Sequence, residues 1–137
     1  MIVRLVLLAL GLGVRVAAQA PELAPVAEQA RKALAGHDVS ALLGTSTRVL
    51  VQLPAAAPSA PVGKAHAEAL IKAYLADMEE VATEVRSTNR SAERSATIEI
   101  RRSYRVPGTS VIKSQSVLLA YQLIGGAWVL SEIRITG

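Results

Sequence analysis

Gly125-Gly126 stands between two segments with alternating apolar residues, Ser116–Ile124 and Ala127–Thr136. Two consecutive residues free to take φ > 0 are what a two-residue β-hairpin turn requires. Ile124 then faces Ala127, and counting outward sets Leu123 opposite Trp128, Tyr121 opposite Leu130, Leu118 opposite Ile133 and Ser116 opposite Ile135. Pro107-Gly108-Thr109 supplies a second turn. With Val106 paired to Ser110, the preceding strand brings Ile98 beside Leu118 and Ile100 beside Ser116. This register predicts a core face made of Ile98, Ile100, Leu118, Val129, Ile133 and Ile135.

The opposite face divides in two. On the first strand it carries Thr97, Glu99, Arg101, Ser103 and Arg105, which suit water; on the next two it carries Val117, Leu119, Tyr121, Leu123, Trp128 and Leu130. Strands apolar on both sides are covered on both sides. A second subunit, a helix or the N-terminal segment is expected over this patch. A slip of one residue exchanges the two faces.

Only Trp128, Tyr74, Tyr104 and Tyr121 are aromatic and Phe is absent, so Leu, Ile, Val and Ala must fill the core. With 51% apolar residues in 137, the chain is expected to form one ordered domain. At the N-terminus, Arg4, an apolar run from Leu5 to Val14 and the small residues around Val16-Ala17-Ala18 match a secretory signal peptide. Cleavage is expected after Ala18, with Ala20 as the alternative, leaving residues 19–137 as the domain. Interrupted by Arg15, the apolar run falls short of a bilayer span, which leaves an uncleaved anchor as the lesser alternative to cleavage. Loss of Arg4 and Arg15 with no acid lowers the formal charge from +4 to +2. The absence of cysteine excludes a disulfide framework, thiol catalysis and Cys-ligated metals.

Upstream of the strands, Pro25 suits a first helical turn, and Val26, Ala30, Ala33 and Leu34 form a stripe that Gly36 ends. Asp38 caps a short helix, Val39 to Leu43, closed by Gly44. Arg48 to Leu53 alternates as a strand, and Ala55 to Pro61 is a small-residue loop. Ala67, Leu70, Ile71, Tyr74, Leu75 and Met78 then mark the clearest amphipathic helix. Val81, Thr83 and Val85 suggest a further strand, and Arg86 to Ser95 a loop.

This order of elements, with the segments ALAGHDVSALL, GKAHAEALIKAYL and GGAWVLSEIRITG, resembles the nuclear transport factor 2-like superfamily, in particular its small exported bacterial members of unknown function. The resemblance spans nearly all of residues 19–137. It implies an α+β fold in which helices pack on a curved, mainly antiparallel sheet to form a cone. Such cones often hold a pocket and often dimerise through the outer sheet face. The patch Val117, Leu119, Tyr121, Leu123, Trp128 and Leu130 is where that dimer contact would fall.

Enzymes of that superfamily, such as ketosteroid isomerase and scytalone dehydratase, work with Asp, His or Tyr inside the cone. The predicted core face holds no Asp, Glu or His, so a general base has no owner there. His66 lies about 110° from the centre of its helix stripe, as a solvated flank residue does. His37 follows a helix end, where the dipole favours His⁺, and Asp38 serves as a cap. Glu79-Glu80 reads as a solvated helix end. No HxH, HxxxH or Asp-rich loop signals a metal, and no phosphate loop, dinucleotide fingerprint or nucleophile elbow occurs.

Arg102 shares a face with Ile98 and Ile100, which points a charge inward. Either it reaches water at an open sheet end or pairs with an acid such as Asp77, or it lines a pocket mouth with Tyr104, Ser114 and Tyr74 and holds a small polar or anionic ligand. The remaining arginines alternate across faces and lack an aromatic platform, which argues against nucleic acid. The sequence therefore predicts an exported, non-catalytic domain that binds a ligand or envelope protein without a cofactor and pairs as a homodimer. The rival is a small hydrolase, isomerase or lyase, favoured by a carboxylate or His inside the cone within reach of Tyr74 or Tyr104.

Overall fold

The computed structural model of the chain describes residues 21–57 and 60–137. The signal peptide expected over residues 1–18, with its alternative cut after residue 20, lies outside the described residues.

Helix α1 (Leu23–Ala35) turns Ala27, Ala30, Ala33 and Leu34 inward. Its end is a Schellman motif: the His37 N–H donates to the Leu34 carbonyl at 3.1 Å and the Asp38 N–H to that of Ala33 at 2.8 Å. The left-handed position is taken by His37, at φ 53°, and not by Gly36, at φ −94°. Asp38 then caps α2 (Val39–Leu43), its Oδ1 accepting from the Ala41 N–H at 3.2 Å, and Gly44 closes the helix at φ 56°. The bounds of this helix are those the sequence predicts.

Strand β1 (Arg48–Gln52) buries Val49 and Val51, and a two-residue β2 (Val62–Gly63) leads into α3 (Lys64–Leu75). Ala67, Ile71 and Leu75 of α3 are buried and Leu70 and Tyr74 half-buried, as the stripe requires. Then follow β3 (Glu79–Ala92), β4 (Ser95–Arg105), β5 (Ile112–Ile124) and β6 (Ala127–Thr136). The sheet order is β2-β1-β6-β5-β4-β3, with β1 parallel to β6 and every other pair antiparallel. The fold is α+β, with the helices on one side of this sheet. The core is Leu, Ile, Val and Ala with Tyr121, and Tyr104 is buried as well. Each fully buried Leu or Ile contributes about 1.5–3 kcal/mol relative to exposure.

The Gly125-Gly126 turn has the expected double positive φ, 59° and 81°, and Ile124 faces Ala127. Beyond Tyr121 and Leu130 the register departs from the count. Ala120 pairs with Glu132, so Ser131 is an extra residue in β6, and its Oγ donates to the Ala120 carbonyl at 3.1 Å. The β4–β5 loop is one residue longer than expected: the Val106 N–H donates to Val111, at 2.8 Å, and not to Ser110. Both slips have the same effect on β5. Leu119 lies between Ile98 and Ile133, and Val117 between Ile100 and Ile135.

The faces of β5 are therefore exchanged relative to expectation. Val117, Leu119, Tyr121 and Leu130 belong to the core, with exposures of 0%, 0%, 5% and 2%. Leu118 points outward and Val129 is half-buried. The proposed dimer face is thus corrected: four of its six residues are covered by the chain's own helices, and Leu123 and Trp128 are half-buried at the hairpin end.

Strand β3 corrects two further expectations. It runs on to Ala92, through most of the expected Arg86 to Ser95 loop, because Ser87, Thr88 and Asn89 pair with Glu99, Ile98 and Thr97. A bulge between Glu80 and Ala82 throws Val81 outward, 44% exposed, and turns Glu80 and Thr83 toward the core.

Candidate functional site

One charged cluster is enclosed between the helices and the sheet. Arg102 descends from β4 and is 1% exposed. Its Nε donates to Glu80 Oε2 at 2.8 Å and its Nη2 to Oε1 at 2.6 Å, a forked pair. Nη1 donates to Gln115 Oε1 at 2.6 Å, and Nη1 and Nη2 approach the Met78 sulfur at 3.7 and 3.8 Å. These contacts occupy all five guanidinium N–H donors. The Tyr104 ring lies beneath, its centroid 4.9 Å from Cζ.

Glu80 is equally committed. Besides Arg102, it accepts from His37 Nε2 at 2.9 Å through Oε1 and from Thr83 Oγ1 at 3.1 Å through Oε2. Four donors fill the lone-pair positions of two oxygens. The bulge at Val81 aims Glu80 inward, and the left-handed His37 at the end of α1 brings the imidazole to it. Burial pushes the Glu80 carboxyl up, but hydrogen bonds from Arg102 and His37 and the Arg102 charge outweigh it and hold the pKa below the ordinary value. Glu80 is therefore a carboxylate, and His37 presents Nε2–H to it. Gln115 links the cluster to α3, its Oε1 accepting from Arg102 and its Nε2 donating to the Tyr74 hydroxyl.

Of the four residues predicted to line a pocket mouth, Arg102, Tyr104 and Tyr74 meet here. Ser114 does not: it is exposed, and the one-residue register slip puts Gln115 in its place. The partner acid is Glu80 and not Asp77, which is exposed. Glu79-Glu80 is no solvated helix end, since only Glu79 is exposed, in an ion pair with Arg105 at 3.3 Å. His37 is likewise more than a helix terminus. The sequence criterion for an enzyme is a carboxylate or His inside the cone within reach of Tyr74 or Tyr104; Glu80 is inside, but its hydrogen bonds, that from His37 included, tie it to Arg102, His37 and Thr83. His66 lies exposed on α3, as expected.

Outside contact with the cluster runs through a groove of about 260 Å³ between α1 and β3, bounded by Arg31, Ala35, Val81 and Glu80. Arg31 is held by Glu28 at 2.7 Å. Among the described residues no cluster of three His, Asp or Glu side chains is arranged to hold a metal ion. No described helix is long and apolar enough to cross a membrane.

Helices on the concave side of a six-stranded, strongly antiparallel sheet define the nuclear transport factor 2-like fold, and solved structures bear this out. A DUF4783 family protein from Bacteroides uniformis matches with a TM-score of 0.66 at 14% identity, over 80% of this chain and 94% of its own. A ketosteroid isomerase-like protein from Erwinia carotovora atroseptica matches with a TM-score of 0.65 at 14% identity, over 82% and 90%. An NTF-2 like protein of unknown function from Shewanella oneidensis matches with a TM-score of 0.59 at 10% identity, over 84% and 96%. At these identities the likeness is one of fold. No family model matches the sequence, and no curated protein matches it.

Proposed function

We propose that this chain is a non-catalytic binding domain, exported by its N-terminal segment. One observation carries the proposal: the interior acid and the interior cation are committed to each other. A general base in a nuclear transport factor 2-like cone needs a carboxylate or imidazole with an open lone pair toward the substrate. Glu80 has four donors on its two oxygens, and its pKa is lowered where a base working near neutrality needs it raised. The Arg102 donors are filled in the same way, so an anionic ligand gains nothing there without breaking the fork.

The proposed unit is a single chain. The outward side of β5 exposes Ile112, Leu118 and Ile124, but Leu118, 39% exposed at its middle, has Glu99 and Arg134 as its direct neighbours. Charges on both sides of the central leucine argue against a stable dimer contact, whose centre is depleted of charged residues.

Native mass spectrometry of the protein taken from the cell envelope tests the proposal. The expected spectrum is a monomer that starts at Gln19 and carries a non-covalent small mass. A chain retaining Met1 overturns export, and a chain bare of any ligand overturns binding.

A further inference from the structure

Tyr121 is 5% exposed, yet its hydroxyl makes no hydrogen bond with any described residue. Such a buried polar group calls for an explanation, because nearly all of them find partners. Tyr121 lines a cavity of about 120 Å³, formed where Val26 and Gln29 of α1, Leu42 of α2 and the following Gly44 meet Tyr121 and Trp128 of the β5–β6 hairpin. This is a different site from the Arg102 cluster, none of whose members lines it.

We infer that this cavity is a binding site for a small uncharged molecule that presents one hydrogen-bond acceptor to the Tyr121 hydroxyl. The inference rests on the reading of the chain as a binding domain and supplies the ligand class. Size comes from the volume. A dry cavity of about 150 Å³ accepts benzene, so this one suits a ring of about five atoms with one substituent. Neutrality comes from the walls, which carry no Asp, Glu, Lys, Arg or His; a charged ligand entering them loses its hydration and finds no counterion. Polarity comes from the hydroxyl, with the uncharged Gln29 and Thr45 also in the wall. Burial alone lifts the phenol above its ordinary value, so at neutral pH it is an O–H donor and no phenolate. The Trp128 indole forms part of the wall, fixed by its Nε1–H to the Pro21 carbonyl at 2.9 Å.

Trp128 is the single tryptophan, so its indole N–H resonance reports the site without ambiguity. The test titrates the mature protein with cyclopentanone and with methylenecyclopentane, which matches it in shape and heavy-atom number but accepts no strong hydrogen bond. Cyclopentanone is expected to shift the Trp128 resonance with an affinity roughly three- to tenfold greater than the hydrocarbon, the span of one net hydrogen bond. In Tyr121→Phe this preference is expected to vanish while thermal stability stays at or above that of the wild type, since the lost hydroxyl had no hydrogen-bond partner among the described residues. Equal affinities in the wild type, no response to either compound, or a marked loss of stability in Tyr121→Phe each overturns the site. A mass retained in the native spectrum whose release leaves Trp128 unmoved overturns this site alone and leaves the binding-domain reading standing.

Discussion

The guanidinium of Arg102 and the carboxylate of Glu80 meet edge to edge, Nε to Oε2 at 2.8 Å and Nη2 to Oε1 at 2.6 Å, across a strand pair in which Arg102 itself faces Thr83. The bulge at Val81 makes the meeting possible by turning Glu80 to the same side as Arg102. The pair has a consequence for acid stability. Glu80 ionises more readily in the folded chain than in the unfolded one, because its donors favour the charged form over the cost of burial. Its contribution is thus fully present above the unfolded value, about 4.3, and is lost as pH falls through the lower folded value. The melting-temperature gap between wild type and Glu80→Gln is expected to be constant above about pH 5 and to narrow in more acid solution. A gap that does not change with pH contradicts a depressed Glu80.

The register of β5 makes opposite predictions for two adjacent leucines. Leu118 faces out between Glu99 and Arg134, whereas Leu119 is 0% exposed between Ile98 and Ile133. Leu118→Lys is expected to change stability by no more than about 0.5 kcal/mol. Leu119→Ala is expected to cost about 2–5 kcal/mol through lost burial and a residual cavity. Chemical denaturation of the two variants decides between this register and its one-residue alternative, in which the costs are reversed.

That alternative is the one the sequence favours, and the reason is local. Val117, Leu118, Leu119 and Tyr121 make β5 apolar on both faces, so alternation does not say which face is inner. The decision lies in the extra residue Ser131 and in a loop one residue longer than Pro107-Gly108-Thr109 suggests, and neither has a signature that counting detects. Where the code is local the reading succeeds: Asp38 and Gly44 bound α2, Gly125-Gly126 shape the hairpin, and Ala67, Ile71 and Leu75 point α3 at the core. The charged cluster was half legible. Arg102 stands out as a charge in phase with Ile98 and Ile100, but Glu80 is aimed by a bulge and His37 by a left-handed turn, both set by tertiary packing. Tyr121 was misplaced with its whole strand face, so the cavity it lines had no sequence signal.

His37 joins two roles in one residue. Its backbone sits at φ 53°, where a β-carbon is strained, and its ring donates to Glu80. His37→Ala and His37→Gly both lose the imidazole, but only glycine relieves the backbone. The glycine variant is expected to be the more stable of the two by about 1–2 kcal/mol, measured by urea unfolding. Equal stabilities contradict the left-handed assignment.

The central claim is that the interior charges hold the fold together and are not free to serve a reaction. A double-mutant cycle in urea tests it most directly, with Arg102→Met, Glu80→Leu and the two combined. Each single change is expected to cost about 3–5 kcal/mol, because it strands a buried partner, and the double change clearly less than the sum. Single costs below about 1 kcal/mol that simply add contradict the claim, for they are what a solvated pair with its groups open to a ligand gives.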